Sequence, residues 1–288
     1  MPRPMQDEGG WVMNVERNVE QHYTQGALAD TILDALRRMG KDPDRLTAAD
    51  LTPVDEFHIG GRQATIDFAE EMGIRPGMRL LDIGSGLGGA ARYFAGERGC
   101  TVAGMDLTEE YVRVANDLAR RTGLDGSVSY RQGSALDLPF EAASFDGAYM
   151  LHVGMNIEDK ARVFAEVRRV LQPSGLFGIY DVMRTGDGEL AFPVPWAATA
   201  ATSFLQSPAA YRHLLEVAGF IILKERRRRE FAIEFFQQMR ARIRQAGGPP
   251  PLGLHLLMGA SSAEKVANMV DSLERGLIAP TEIVCQAV

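Results

Sequence analysis

Leu80-Leu-Asp-Ile-Gly-Ser-Gly-Leu-Gly-Gly89 is the stretch that decides the fold. With Arg79 it begins as a short apolar run, which reads as a buried parallel strand. A glycine-rich turn follows, and Ala90 to Arg98 reads as a helix. Gly84 and Gly86 permit a tight turn and close backbone approach to a ligand. Gly88 and Gly89 let the following helix start and pack without a Cβ in the way. Gly84, Gly86 and Gly89 match the GxGxxG spacing, which on its own is a weak dinucleotide fingerprint. Asp106 then stands at the end of the next strand, Cys100 to Met105, where a carboxylate can accept hydrogen bonds from two ribose hydroxyls. Loop and carboxylate together point to an adenosine-bearing ligand and do not choose between NAD and other adenosine cofactors.

Strands and helices alternate on the C-terminal side of this unit. Glu109 to Arg121 reads as helix, Ser127 to Arg131 as strand, Phe145 to Met150 as strand and Glu158 to Leu171 as helix. Leu176 to Tyr180 reads as strand, Pro208 to Ala218 as helix, Phe220 to Lys224 and Glu282 to Gln286 as strands. That rhythm predicts an α/β fold, a doubly wound, mostly parallel sheet of the Rossmann-like kind. Residues 185–206 and 227–279 interrupt it, and such insertions usually carry substrate lids or subunit contacts. On the N-terminal side, Val15 to Met39 reads as helix broken near Gly26, Thr47 to Pro53 as a connector and Arg62 to Met72 as helix. The expected division is an N-terminal helical cap (1–60), a core (61–226 with 280–288) and a helical insertion (227–279) that serves as lid or homodimer contact.

Composition narrows the partners. The chain has 288 residues, with 38 acidic against 31 basic and a formal net charge of −7. A protein gripping a nucleic-acid backbone is normally basic, so no nucleic-acid partner is expected. Arg226 to Arg229 is the one basic run, read as a solvated strand end. Cys100 and Cys285 lack disulfide-framework or metal spacing and read as core residues of a cytoplasmic protein; no metal is expected. Residues 1–10 lack a signal-peptide apolar region, and a frayed start is expected. No apolar stretch reaches the roughly 18 residues that span a bilayer, so no membrane partner is expected.

A resemblance adds to these readings. Asp82-Ile-Gly-Ser-Gly-Leu-Gly88 resembles the first motif of class I S-adenosylmethionine-dependent methyltransferases, where an acidic residue precedes the glycines. Gly133 to Phe140 and Ser144 to Tyr149 resemble that family's third-strand loop and fourth strand. Arg168 to Leu176 resembles its helix-to-fifth-strand turn, and Ala218-Gly-Phe220 the opening of its sixth strand. The segment Asp55 to Thr65 is similar to the bacterial group that includes sarcosine and dimethylglycine N-methyltransferases. His22-Tyr23 resembles that group's cap, where a tyrosine lies over the cofactor. The resemblance implies a seven-stranded sheet and S-adenosylmethionine as cofactor, leaving as S-adenosylhomocysteine. It implies in-line methyl transfer to an N, O or C nucleophile of a small metabolite.

The expected cofactor residues are Tyr23, Gln63, Asp82, Gly84, Ser85, Gly86, Gly88, Asp106, Leu107, Gly133, Ser134, Ala135 and Leu151. Many relatives have Asp at the position of Ser134, where it receives the adenine amino group; the serine hydroxyl would accept that bond without a charge. His152, after the fourth strand, is the candidate base, with Tyr23 as the second catalytic candidate; a structural turn histidine is the bland alternative. His58, Asn156, Tyr180 and Trp196 are the substrate candidates. Against each stands a plain structural role: a satisfied histidine, a helix cap for Asn156, loop packing for Trp196. The rival functions are an NAD(P)-dependent oxidoreductase and a non-catalytic S-adenosylmethionine-binding protein.

Overall fold

The central strand β1 (Arg79–Ile83) is buried along all but its first residue. Its alternate side chains feed two cores. Leu81 and Ile83 pack on one face of the sheet, and Leu80 on the other. The computed structural model describes residues 8–288, with side chains from Val15 onward. The expectation of a frayed start thus falls largely outside the described residues, and α1 (Glu8–Tyr23) begins at Glu8.

β1 pairs in parallel with β2 (Thr101–Asp106) on one side and β4 (Phe145–Leu151) on the other. The full order is β3-β2-β1-β4-β5-β7-β6, with β3 at Val128–Gln132, β5 at Leu171–Arg184, β6 at Phe220–Arg227 and β7 at Ile278–Ala287. β7 runs antiparallel between β5 and β6. The chain moves outward from β1 to β3 and then returns to β4 on the opposite side. Strand order therefore reverses at β1, and the crevice beyond the carboxyl ends of β1 and β4 is where such sheets bind ligands.

The expected helices form around this sheet, each with a local reason. In α6 (Glu109–Arg121) Tyr111, Val114, Ala115 and Leu118 are buried along one stripe, and Gly123 stops it at φ 68°. The Asp159 side chain caps α7 (Lys160–Val170), and the Ser207 side chain caps α8 (Pro208–Val217), which starts on Pro208. α4 (Gly61–Glu71) and α5 (Gly89–Arg98) cover the second face, where Phe68 and Phe94 are fully buried.

Three elements differ from the sequence reading. The expected connector at Thr47 to Pro53 is a helix, α3 (Ala48–Asp55), closed by a capping box between Thr47 and Asp50 that outweighs the internal Pro53. β5 runs past Tyr180 to Arg184, because β7 pairs with it as far as Ile278. Tyr180 and Asp181 thus lie inside the sheet and do not end the strand. The run Arg226 to Arg229 is not a solvated strand end. Arg228 is buried, and its guanidinium bonds Glu282 of β7 and Asp67 of α4 at 2.8 and 2.6 Å.

The cap and the insertion meet each other. α2 (Leu28–Arg38), α3 and α6 bury Leu28, Ile32, Leu51, Val54 and Leu118 together with Leu252 and Leu257 of the insertion. The insertion otherwise holds α9 (Arg229–Gln245), α10 (His255–Met258) and α11 (Ser262–Glu274). α9 and α11 enclose a further core with Val194, Trp196, Met155 and Ile59. No helix among the described residues is long and apolar enough to cross a membrane.

Candidate active site

A cavity of about 590 Å³ opens at the carboxyl ends of β1, β2 and β4, a volume within the range of small-molecule sites. Gly84 and Gly86 take φ of 70° and 53°, and a Cβ on Gly84 would sit 2.4 Å from the Val153 side chain. Gly89 is needed for a different reason. A Cβ there would meet the Asp55 carbonyl oxygen at 2.2 Å, so α3 reaches α5 only over a glycine.

The loop is already tied to β2. The Gly84 and Ser85 N–H groups donate to the Met105 carbonyl at 2.7 and 2.9 Å. The Gly86 and Thr108 N–H groups donate to Asp106 at 2.8 and 2.9 Å, one to each carboxylate oxygen. Each oxygen keeps a further lone pair, and Asp106 lines the cavity. Asp82 is buried beside it, and burial, then the Asp106 and Glu56 carboxylates, push its carboxyl up to about 8.

Tyr23 enters from α1. Its hydroxyl donates to Asn156 Oδ1 at 2.9 Å, and Asn156 Nδ2 donates to the Trp196 carbonyl at 2.7 Å. Burial, then Asp106 and Asp181, raise the Tyr23 phenol, so it stays protonated as a donor. No local sequence signal points to what fixes this helix in place. Glu110 of α6 accepts the Gln25, Gly26 and Leu28 N–H groups at 2.6, 2.9 and 3.0 Å. It joins the end of α1 and the start of α2 to the core. Burial raises this carboxyl, but the three backbone donors outweigh it and hold it below the usual value.

His152 sits in the left-handed region at φ 57°, and its N–H donates to the Tyr180 carbonyl at 2.7 Å. Histidine is among the few non-glycine types that adopt this conformation with any frequency, and such outliers cluster at functional sites. Its Nε2 is buried without a hydrogen-bond partner, and burial, then His58, hold the ring well below the usual 6.5. The His58 ring lies 6.0 Å away. His58 Nε2 meets Glu56 Oε2 at 2.9 Å, and Thr65 Oγ1 donates to the same oxygen at 2.7 Å. Arg62 clamps the other Glu56 oxygen at 2.7 Å. An ionised Glu56 accepts only, so His58 carries its proton on Nε2.

Of the expected site residues, Tyr23, His58, Asp82, Gly84, Ser85, Gly86, Asp106, Leu107, Gly133, Ala135, Leu151, His152 and Asn156 line the cavity. The other five do not. Gln63 is exposed and donates to Asp67 at 2.7 Å, because its position on α4 faces solvent. Gly88 lies behind the loop as the α5 N-cap at φ 79°, against the Tyr130 hydroxyl. The Ser134 hydroxyl is taken up by Glu16, to which it donates, and by the Leu136 N–H, which it accepts; Glu16 lines the cavity and Ser134 does not. Tyr180 is buried in the sheet with its hydroxyl on the Ile59 carbonyl at 3.0 Å. Trp196 is packed in the core of the insertion and donates to Ser203 Oγ at 3.0 Å. Asn156 is no helix cap, since Asp159 caps α7. The cavity also takes Glu16, Glu56, Phe57 and Leu257, none singled out in the sequence, because cap and insertion reach it from distant parts of the chain.

Comparison with known proteins agrees with this geometry. Residues 81–179 match a family described as a methyltransferase domain. A sterol 24-C-methyltransferase of Gibberella zeae is 37% identical over 117 residues, which is 41% of this chain and 31% of that protein. The chain thus aligns with about a third of the sterol methyltransferases it matches. A methyltransferase of Streptomyces halstedii, GfsG, is 28% identical across 77% of this chain and 79% of its own. The solved structure of a geranyl diphosphate methyltransferase, in complex with GPP and sinefungin, superposes with a TM-score of 0.72 at 17% identity. That match covers 95% of this chain and 100% of the other.

Proposed function

We propose that this chain, whose core matches a methyltransferase-domain family in sequence and a methyltransferase in fold, transfers a methyl group from S-adenosylmethionine to a small molecule. The charge of the cavity carries the reading. Among the described residues that line it, seven carry carboxyl groups (Glu16, Asp55, Glu56, Asp82, Asp106, Glu158 and Asp159), of which Asp82 keeps its proton up to about 8, and none is Lys or Arg. A dinucleotide would bring two phosphate charges into that field with no cation to meet them. A ligand with a sulfonium and an ammonium group suits it. The nicotinamide reading is disfavoured on this ground, in addition to the acidic Asp82.

Asp106 would take the ribose hydroxyls on its remaining lone pairs. Asp82 would face the methionine end, Ala135 the adenine, and Leu107 and Leu151 would supply apolar walls. Tyr23, held by Asn156 and Glu110, closes the chamber from the cap, and Leu257 closes it from the insertion. The insertion is therefore a lid in this reading. S-adenosylmethionine supplies an electrophilic methyl group on sulfur. The protein's task is to hold the nucleophile in line with that methyl and exclude water, which is worth up to about 7–11 kcal/mol in well-oriented systems. His152, kept neutral by burial, would accept a proton from an O–H or N–H nucleophile in this reading. Glu56 and His58 support the same wall. Two buried free cysteines suit a reducing compartment such as the cytoplasm.

Isothermal titration calorimetry tests the reading with S-adenosylmethionine, S-adenosylhomocysteine and NADH on wild type and Asp106→Ala. Micromolar affinity for the first two is expected, at least tenfold weaker in the variant, with no NADH binding. A folded wild type that binds NADH and neither sulfur ligand overturns it.

A further inference from the structure

The part of the same cavity left for the acceptor has a character of its own. Apart from the residues assigned to the cofactor, the lining includes Phe57, Ile157, Leu257, Glu56, Glu158 and Asp159. The cations beside the lining are engaged with other groups. Arg62 lies on Glu56 at 2.7 Å and Arg92 on Asp55 at 2.7 Å. Lys160 donates to the Ile157 and Phe204 carbonyls at 2.7 and 2.6 Å, Arg162 to the Leu136 carbonyl at 2.7 Å and Lys265 to the Met258 carbonyl at 3.0 Å. None of the five lines the cavity. His152 is held uncharged by burial and by His58. A phosphate or carboxylate placed here would lose its hydration and gain no partner, the most costly combination for a buried charge.

We infer that the methyl acceptor carries no anionic group in its bound part: it is an uncharged or amine-bearing, largely apolar molecule. This rests on the methyltransferase reading and narrows it. The solved relative binds a diphosphate, by its description, and this chamber would reject one. Free amino acids such as glycine and sarcosine, each with a carboxylate to place, are disfavoured on the same ground. The outer rim supports the selection. Glu158 is exposed and Asp159 caps α7 through Oδ1, so two acidic side chains stand at the rim, an arrangement that disfavours an approaching anion.

Two fluorescent dyes that share an anilinonaphthalene body read this directly. N-phenyl-1-naphthylamine is neutral, and 8-anilinonaphthalene-1-sulfonate adds one sulfonate. Each is titrated into the full chain saturated with S-adenosylhomocysteine. The neutral dye is expected to bind at least tenfold more tightly. Glu158→Arg is expected to improve the sulfonate dye at least fivefold and leave the neutral one unchanged, which places both dyes in this chamber. Equal or tighter binding of the sulfonate dye by wild type overturns the inference. So does binding of neither dye, and so does a Glu158→Arg variant that shifts neither or both. Loss of S-adenosylhomocysteine binding in calorimetry would strike the cofactor reading alone, because the dye comparison can be repeated on the cofactor-free chain.

Discussion

Glu16 reaches the cavity from α1, and its carboxylate receives the Ser134 hydroxyl. The resemblance implies an aspartate at the position of Ser134, and here the carboxylate beside the β3 loop comes from the cap. A charged acceptor for the adenine amino group is thus available from a residue 118 positions away. A hydrogen bond to a charged group is worth about 1.5–3 kcal/mol. Glu16→Ala should therefore weaken S-adenosylhomocysteine at least tenfold, and Ser134→Asp added to that variant should restore most of the loss. Unchanged affinity in Glu16→Ala would sink the assignment. Asp82 makes a second prediction, in pH. An unfolded aspartate loses its proton near about 3.9, whereas the buried one holds it to about 8. The unfolded chain therefore binds fewer protons across that window. Stability is full below the lower value, falls as pH rises and levels above the upper one. Asp82→Asn removes this slope. Urea denaturation at pH 5 and pH 8 should show the variant gaining on wild type at the higher pH; an identical difference at both would refute it.

Glu110 acts one level up, on the placement of a whole element. No side chain of α2 caps its own N-terminus. The carboxylate comes from α6 and takes three backbone donors at the α1–α2 turn. Removing it leaves those donors unpaired, a loss of about 1–3 kcal/mol for each donor that water cannot reach. Glu110→Ala should expose the 24–28 turn to limited proteolysis and weaken the cofactor by loosening Tyr23, while the sheet stays folded by circular dichroism. Protease resistance equal to wild type would show that the turn is held by other contacts. Glu110 also shows where the sequence stopped being readable. The strand β1, its glycine turn, Asp106 and the order of most later elements follow from local signals: apolar runs, glycines at turns and caps within three residues. Glu110, Glu16 and Leu257 carry no such signal, since each acts on a segment far away in the chain. Gln63 and Tyr180 lie off the cavity for a related reason. Local signals give the position along an element and not the face, and α4 turns Gln63 to solvent while β7 covers Tyr180.

The arginine run after β6 ties the molecule together. Arg226 pairs with Glu71 of α4 and Glu282 of β7. Arg228 pairs with Asp67 and Glu282 and lies 3.8 Å over the Phe231 ring. Arg229 donates to the Leu273 and Glu274 carbonyls at the end of α11. Sheet, α4 and the proposed lid therefore share one ionic joint centred on Glu282, which is almost fully buried. Breaking a buried pair by removing one partner costs about 3–5 kcal/mol, because the remaining charge is left without compensation. Glu282→Ala leaves Arg228 with Asp67 alone and Arg226 with Glu71 alone, so it should lower unfolding stability in urea by less than that, about 1–3 kcal/mol. Arg227→Ala, on an exposed side chain of the same run, should stay within about 0.5 kcal/mol of wild type. The contrast matters more than either value. If the run were only a solvated strand end, the two variants would behave alike. Equal denaturation midpoints for Glu282→Ala and Arg227→Ala would show that the joint contributes nothing to holding the insertion on the sheet.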